Sequence, residues 1–431
     1  MRLGDKLARF VPPPPLPEAR EAPTGDARCE GAGSAVIAEL RAALARMERG
    51  GGDGPRRASG PLDQRAARSR TTEATSWSGL VVESGPPPSL AEALPGQLVK
   101  TKFGSTWLAT THHAPAERHG DIALGRALGA DYRHLERMTG DARLEGFDAR
   151  DALFLDIEAT GLEHGSGTLA FLIGLGFFVG DTLQVEQVLL RDHDEEAALL
   201  DLVWDRVQRS RYLVSFNGKS FDLSVLQNRM VMHRMCSKEE SELKLRPHLD
   251  LLHVSRSVYK GLWQDVRLQT LEAQVLGFVR EHDMPGSLAP SCWFAWLRDA
   301  EPRPLAGIAL HNRHDVLSMV ALAAVLAHEA EPRADAGRRS QVALNLASLY
   351  VRRKGNAEAL TVLAEPPPLS DRAQRIAMLE LVVKAARRLG DGPRMVAALE
   401  ALMAIEPERL ELVRALTRAR RHKPAVALAR S

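Results

Sequence analysis

The run ALFLDIEATGL at residues 152–162 constrains the fold more than any other stretch. Asp156 and Glu158 break an otherwise apolar segment and, two apart on a strand, project to one face. A run of this kind reads as a strand buried within a sheet. Two carboxylates side by side in such a setting are costly unless a cation neutralises them. Taken alone, the pair is weak evidence, because most such pairs are solvated acids on an edge strand. Thr160 and Gly161 then turn the chain away and leave room above the carboxylates. Thr160, beside that space, is a candidate substrate contact.

The following stretches repeat the strand signal. GTLAFLIGLGFFV predicts a second strand, Gly180-Asp181 a tight turn and TLQVEQVLL a third strand. Glu195 to Arg209 has helical amphipathicity, YLVSFN is a fourth strand, and a helix is expected from about Leu223 to Met235. HLDLLHVSRSV begins with a short fifth strand, and helices follow around Thr270 to Leu276 and Leu305 to His328. The order predicts an α/β fold, a mixed sheet flanked by helices, over about 151–330.

The flanks differ in character. Residues 1–90 carry VPPPPLP, RGGGDGPRRASG and SGPPPS, compositions that bury too little apolar surface to offset chain entropy. A mostly disordered segment is expected there, with one short helix near 34–49, where Ser34 can cap and Gly50 to Gly52 stop it. Residues 91–150 read as leader strands and helices packed on the core. Beyond residue 336 the pattern is all helical, with Gly355 and Gly390 near the turns of two helix pairs, about one tetratricopeptide period apart. Either a TPR-like region that recruits a protein partner or a plain helical cap would read this way.

Composition removes several function classes. The 57 basic and 55 acidic residues leave a net charge of +2, so coating nucleic acid by bulk charge is excluded, whereas a local basic groove is not. Aromatic residues at 5% do not suffice for a broad base-stacking platform. Cys29, Cys236 and Cys292 are too few and too scattered for a disulfide framework or a cysteine zinc site, and a reducing cytoplasm is the compartment expected. There is no run of 18 apolar residues, so no membrane span is expected.

Two further acidic positions join the strand pair. SFNGKSFDLSVLQNR places Asp222 at a helix start, where it serves either as a cap or as a functional carboxylate. In LHNRHDVLSMVALAAVL, Asp315 opens a very apolar helix, and His311, four residues earlier, shares its face. His314 adjoins Asp315 but points about 100° around the helix.

In order and spacing this set resembles the DEDD exonucleases of the ribonuclease-H-like superfamily. More narrowly, Leu153 to about Leu326 resembles the YprB-type ribonuclease-H-like domain. LFLDIEATGL, LVSFNGKSFDLSVLQNR, HLDLLHVSR, LQTLEAQVLG with REHDMPG, and HNRHDVLSMVALAAVL carry the likeness. The resemblance implies two divalent cations, Mg²⁺ or Mn²⁺, held by Asp156, Glu158, Asp222 and Asp315. Carboxylates are hard oxygen ligands suited to those ions. Two such ions about 4 Å apart stabilise the attacking and leaving oxygens of a phosphodiester displacement. His311 is the candidate general base, at the spacing of the tyrosine subtype rather than that of the histidine subtype.

Lower-ranked candidates surround this set. Asn217 and Lys219, in the turn before Asp222, are candidate substrate contacts, and Asp250 and His314 candidate supports of the metal ligands. Arg246, Arg256, Lys260, Arg267 and Arg280 either line a backbone-tracking groove or are ordinary solvated charges. Trp263, Trp293 and Trp296 read as core packing before base stacking. The expectation is a 3′–5′ exonuclease-like enzyme acting on the end of single-stranded DNA or RNA. A nucleic-acid-binding scaffold with little catalysis and a structure-specific endonuclease are the alternatives.

Overall fold

The computed structural model describes residues 88–161, 167–235, 242–281, 283–333, 337–365, 369, 371–409, 411, 414, 415, 417 and 418. The expected disorder over 1–90 and helix over 34–49 thus fall almost wholly outside the described residues, as do Cys29 and Cys236.

The strands are β1 (Gln97–Thr101), β2 (Gly104–His113), β3 (Arg118–His119), β4 (Ile122–Ala123), β5 (Ala152–Ala159), β6 (Ala170–Val179), β7 (Thr182–Leu189), β8 (Tyr212–Ser215) and β9 (His248–Asp250). The main helices are α1 (Glu196–Arg209), α2 (Asp222–Met232), α3 (Leu251–Val258), α4 (Ala289–Asp299), α5 (Arg303–Ala330), α6 (Ser340–Arg352), α7 (Asn356–Val362), α8 (Arg372–Leu389) and α9 (Gly392–Ile405). The chain divides into two compact units: Gly96–Val279 with Asn312 onward, and Arg280–His311 with the residues up to Pro95.

In the larger unit, seven strands form one mixed sheet in the order β1-β2-β7-β6-β5-β8-β9. β8 and β9 run parallel to β5, and the remaining pairs are antiparallel. The leader strands β1 and β2 are therefore members of the sheet rather than a layer packed on it. β2 pairs with β7 from Trp107↔Leu189 to His113↔Leu183, a long-range pairing that local patterning does not encode. The expected helix around Thr270 to Leu276 begins at Leu268 and becomes a π-helix over Glu272–Leu276.

The seating of α5 on the sheet follows from two glycines in β6. Cross-strand partners point to the same face. Asp156, Gly174 and Gln187 form one such row across β5, β6 and β7, and Phe154, Gly176 and Val185 form the next. The missing side chains leave two hollows, filled by Asn312 and Val316, one helical turn apart on α5. A Cβ at Gly176 would lie 2.5 Å from Val316 Cγ1. The glycine pair thus sets the height and register of the helix that carries Asp315.

The tail makes two helix hairpins. Gly390 caps α8 in the left-handed region at φ 72°, as a C′ glycine does. At the first hairpin it is Lys354, not Gly355, that takes the left-handed conformation, at φ 64°. Val342, Leu346, Leu349 and Tyr350 of α6 belong to the same buried cluster as Phe154, Val214, Leu249 and Val320. The first hairpin is thus part of the main core. Val396, Leu399 and Leu402 of α9 form a separate small cluster, with Ile376, Leu379 and Val383 of α8 packed against it.

In the smaller unit, Ser89 and Glu92 form a reciprocal capping box on a one-turn helix, and α4 buries Cys292 and Trp293. No helix among the described residues is long and apolar enough to cross a membrane.

Candidate active site

The expected site residues gather at the C-terminal ends of the three parallel strands. In open α/β sheets this edge is where ligands bind, because the chain leaves each strand there in a loop. β5 presents Asp156 and Glu158 near its end, β8 runs into the turn before Asp222, and β9 ends on Asp250. Glu158 is buried and Asp156 half-buried. A register shift between Glu158 and Ala159 ends the regular pairing of β5 with β6 at this point.

The turn after β8 is held in place by Asp250. Its Oδ1 accepts from the backbone N–H of Asn217 at 2.9 Å, and its Oδ2 from that of Lys219 at 3.1 Å. Oδ1 also accepts from Leu252 N–H at 3.1 Å, which caps α3. Asn217 takes a left-handed φ of 73°, a conformation that asparagine tolerates. Ser215 Oγ accepts from Gly218 N–H at 3.1 Å and lies 2.7 Å from His248 Nε2. Burial pushes the His248 pKa down to about 3, so its ring is neutral. Gly218 packs so tightly that a Cβ would collide with both Ser215 and Asp222.

This turn delivers Asp222 to the first position of α2. The N-cap residue is Phe221, and Asp222 makes no capping bond. Its side chain is buried and accepts no hydrogen bond from any described residue. Burial, and then the neighbouring Asp250 and Asp315 carboxylates, push its pKa up to about 8. Such a carboxylate, poor in donors and close to others of its kind, is chemically suited to a cation. Among the described residues, no three His, Cys, Asp or Glu side chains stand close enough to grip one as they are.

A cavity of about 630 Å³ opens beside these acids. Asp156, Asp315 and Asn217 line it together with Phe216, Leu252, Arg256, Val266 and Arg267. Asp265 and Leu268 complete the lining, so the cavity joins Asp156 of β5 and Asp315 of α5 to an apolar wall, to Arg256, and to Arg267 with its ion-pair partner Asp265 at 3.5 Å.

The comparisons with known proteins bear on the same region. Residues 153–327 match the family model described as the RNase_H superfamily. Over these residues the chain has an RNase H-like fold. The chain is also 31% identical over 237 residues to YprB, an uncharacterized protein of Bacillus subtilis (strain 168). That match covers 55% of this chain and 56% of the relative, so the chain spans little more than half of it. Among solved structures, the family B DNA polymerase of the archaeon Pyrobaculum calidifontis matches at 14% identity with a TM-score of 0.32. That match covers 49% of this chain and 30% of the polymerase chain, a likeness too slight to carry an argument.

Within this RNase H-like region, the other expected contacts separate into groups. Thr160 has its hydroxyl engaged by Leu169 N–H at 3.0 Å, while its own N–H donates to Leu169 O at 2.9 Å. It closes the loop after β5. Lys219 is exposed and does not line the cavity. Arg246 reaches the Ser210 carbonyl at the end of α1, so it supports a helix terminus. His314 turns toward Phe278, 5.2 Å between ring centroids, and toward His119, 6.1 Å away. Trp263 packs against the core beneath Arg339, and Trp293 is fully buried, in line with a packing role.

His311 belongs to the smaller unit. Its Nδ1 lies 2.9 Å from Asp283 Oδ1 and 3.1 Å from Arg280 Nη1. Of these two neighbours only the carboxylate can accept, so Asp283 favours the tautomer with the proton on Nδ1. Arg280, read as a possible groove cation, is instead a buried partner of Asp283 at 3.5 Å. Asp283 lies in REHDMPG, and sequence reasoning gave it no role. Asn312 and Gln187 were missed as well. The Asn312 amide donates to Asp156 Oδ2 at 2.8 Å, and Gln187 donates to Asn312 Oδ1 at 2.9 Å. The Ile-Gly-Leu-Gly step in an apolar strand was the available signal, since glycine inside a strand marks a close approach.

Proposed function

We propose that the protein is a metal-dependent nuclease that removes nucleotides from the 3′ end of DNA or RNA. The observation that carries this reading is Asp222: a buried carboxylate without a hydrogen-bond donor among the described residues, beside other carboxylates, at the C-terminal edge of parallel strands. Asp156, Glu158, Asp222 and Asp315 would hold two divalent cations, Mg²⁺ or Mn²⁺. When bound, such ions lower the pKa of a water and shield a leaving oxyanion. Uncompensated carboxylates repel one another, so closure of the ligand set is expected only on cation binding.

The chain's own residues then divide the work. His311, with Asp283 orienting its ring, accepts the proton of the attacking water at Nε2. Phe216, Leu252 and Val266 provide a surface for the base or sugar of the terminal nucleotide. Arg256 meets a backbone phosphate, and Arg267 does so on exchanging its exposed ion pair with Asp265 for the phosphate. Asn217 fixes the turn that borders the same cavity. A cytoplasmic setting fits a chain whose three cysteines are too few and too scattered for a disulfide framework. The two successive helix hairpins support a TPR-like reading of the tail, with a protein partner as its ligand.

The test uses end-labelled single-stranded DNA and RNA with Mn²⁺, Mg²⁺ or EDTA, beside circular single strands. Metal-dependent laddering from the 3′ end, with circles intact, is expected. Cut circles would make the enzyme an endonuclease. Binding without cleavage would favour the scaffold reading.

A further inference from the structure

We infer that Asn312 is the positioning residue for Asp156, and that Gly174 and Gln187 exist in their places to hold it. The inference rests on the reading of Asp156 as a cation-holding carboxylate, and it assigns a role to three residues outside the acidic set. Asn312 is completely buried, and Gln187 is 3% exposed. An uncharged amide in that place must satisfy both its ends. It does so with one bond in each direction: Asn312 Nδ2 to Asp156 Oδ2 at 2.8 Å, and Gln187 Nε2 to Asn312 Oδ1 at 2.9 Å. Asn312 Nδ2 also approaches the Asp156 carbonyl at 3.4 Å.

The sequence of donors leaves the Asn312 amide one orientation. Gln187 donates to its oxygen, so its nitrogen must face Asp156. The amide therefore spends itself on one carboxylate oxygen, Oδ2, and fixes the rotation of the Asp156 side chain. Asparagine accomplishes this without adding a charge to a site already crowded with carboxylates. Aspartate at the same position would face Asp156 with a second anion.

The room for this amide comes from Gly174. Asp156, Gly174 and Gln187 are cross-strand partners in one row, so the amide sits over the glycine and between the two side chains. A Cβ on Gly174 would collide with the Asn312 amide. Val316, one turn on, fills the hollow over Gly176 in the same manner but meets Phe154 and Val185 in its row instead of a carboxylate. It serves as a built-in control, because it seats the same helix without touching the acids.

The full-length protein is titrated with Mn²⁺ by calorimetry, and thermal melts are recorded without metal. Asn312→Leu keeps the volume but removes the donor, and its Mn²⁺ Kd should rise about 10- to 100-fold, the usual cost of losing an outer-shell partner. Gly174→Ala should act in the same direction by displacing the amide. Gln187→Met, which leaves the Asp156 contact in place, should give a smaller rise and stands in if Asn312→Leu does not fold. Val316→Ala should lower the melting temperature and leave the Kd unchanged. Equal Kd in Asn312→Leu and wild type, with binding abolished in Asp156→Ala, overturns the inference alone. Kd rises in Asn312→Leu and Val316→Ala that track their loss of stability also overturn it, because the role is then only structural. If wild type binds no more Mn²⁺ than Asp156→Ala, the reading of the carboxylates itself fails.

Discussion

Replacing Asp222 by asparagine in the metal-free protein should remove a pH-dependent weakness of the fold. Folded Asp222 holds its proton up to about pH 8, because burial and then Asp250 and Asp315 oppose its charge. In the unfolded chain the same group ionises at about pH 3.9. Between those values the folded state binds more protons than the unfolded state, so stability falls as pH rises. At about 1.4 kcal/mol per pH unit, the loss from this one group between pH 4 and pH 7 is at most about 4 kcal/mol. Asparagine does not titrate. The variant should match wild type near pH 4 and exceed it increasingly toward pH 8. Urea unfolding in EDTA across that range measures the difference, with the shared titration of other groups cancelling. Mn²⁺ should then stabilise wild type at pH 8 more than the variant. Parallel pH profiles for the two proteins would refute the reasoning, because they would mean that Asp222 ionises as freely in the fold as outside it.

Three further outcomes are expected. His311→Ala should lower kcat about 10²- to 10⁴-fold as a lost general base, and Asp283→Asn should lower kcat by less with KM kept; steady-state kinetics on a single-stranded oligonucleotide checks both. Gly176→Ala should destabilise by about 1–3 kcal/mol through overpacking against Val316, measured by urea unfolding. Ending the chain at residue 335 should abolish cooperative unfolding, since it strips Val342, Leu346, Leu349 and Tyr350 from the main core; an unchanged melt would make the tail an independent unit.

Much of the candidate site could be proposed from sequence because its parts are local. An acid pair two apart on an apolar strand, an acid at a helix start and an acid four residues after a histidine each carry their own periodicity. The central strands β5 to β8 were legible for the same reason. What escaped was set by register between distant segments. β2 pairs with β7 at positions as far apart as Trp107 and Leu189, and nothing in GSTWLATTHH names that partner. Asn312 looked like a helix residue between two histidines, and its bond to Asp156 depends on where α5 lands on the sheet. Asp222 read as a possible cap because caps are common, but the turn held by Asp250 delivers it one residue too late. Arg246 and Arg280 looked like groove cations because a charge pattern does not reveal which guanidinium meets a carbonyl or a buried carboxylate.

The most direct measurement is the rate of nucleoside monophosphate release from a linear single-stranded oligonucleotide in Mn²⁺, for wild type and for Asp156→Ala, Asp222→Ala and Asp315→Ala, each first shown to be folded. Release by wild type that stops with EDTA and is lost in all three variants is the result predicted here. Release that persists in any folded variant at the wild-type rate would contradict the assignment of the chemistry to this carboxylate site.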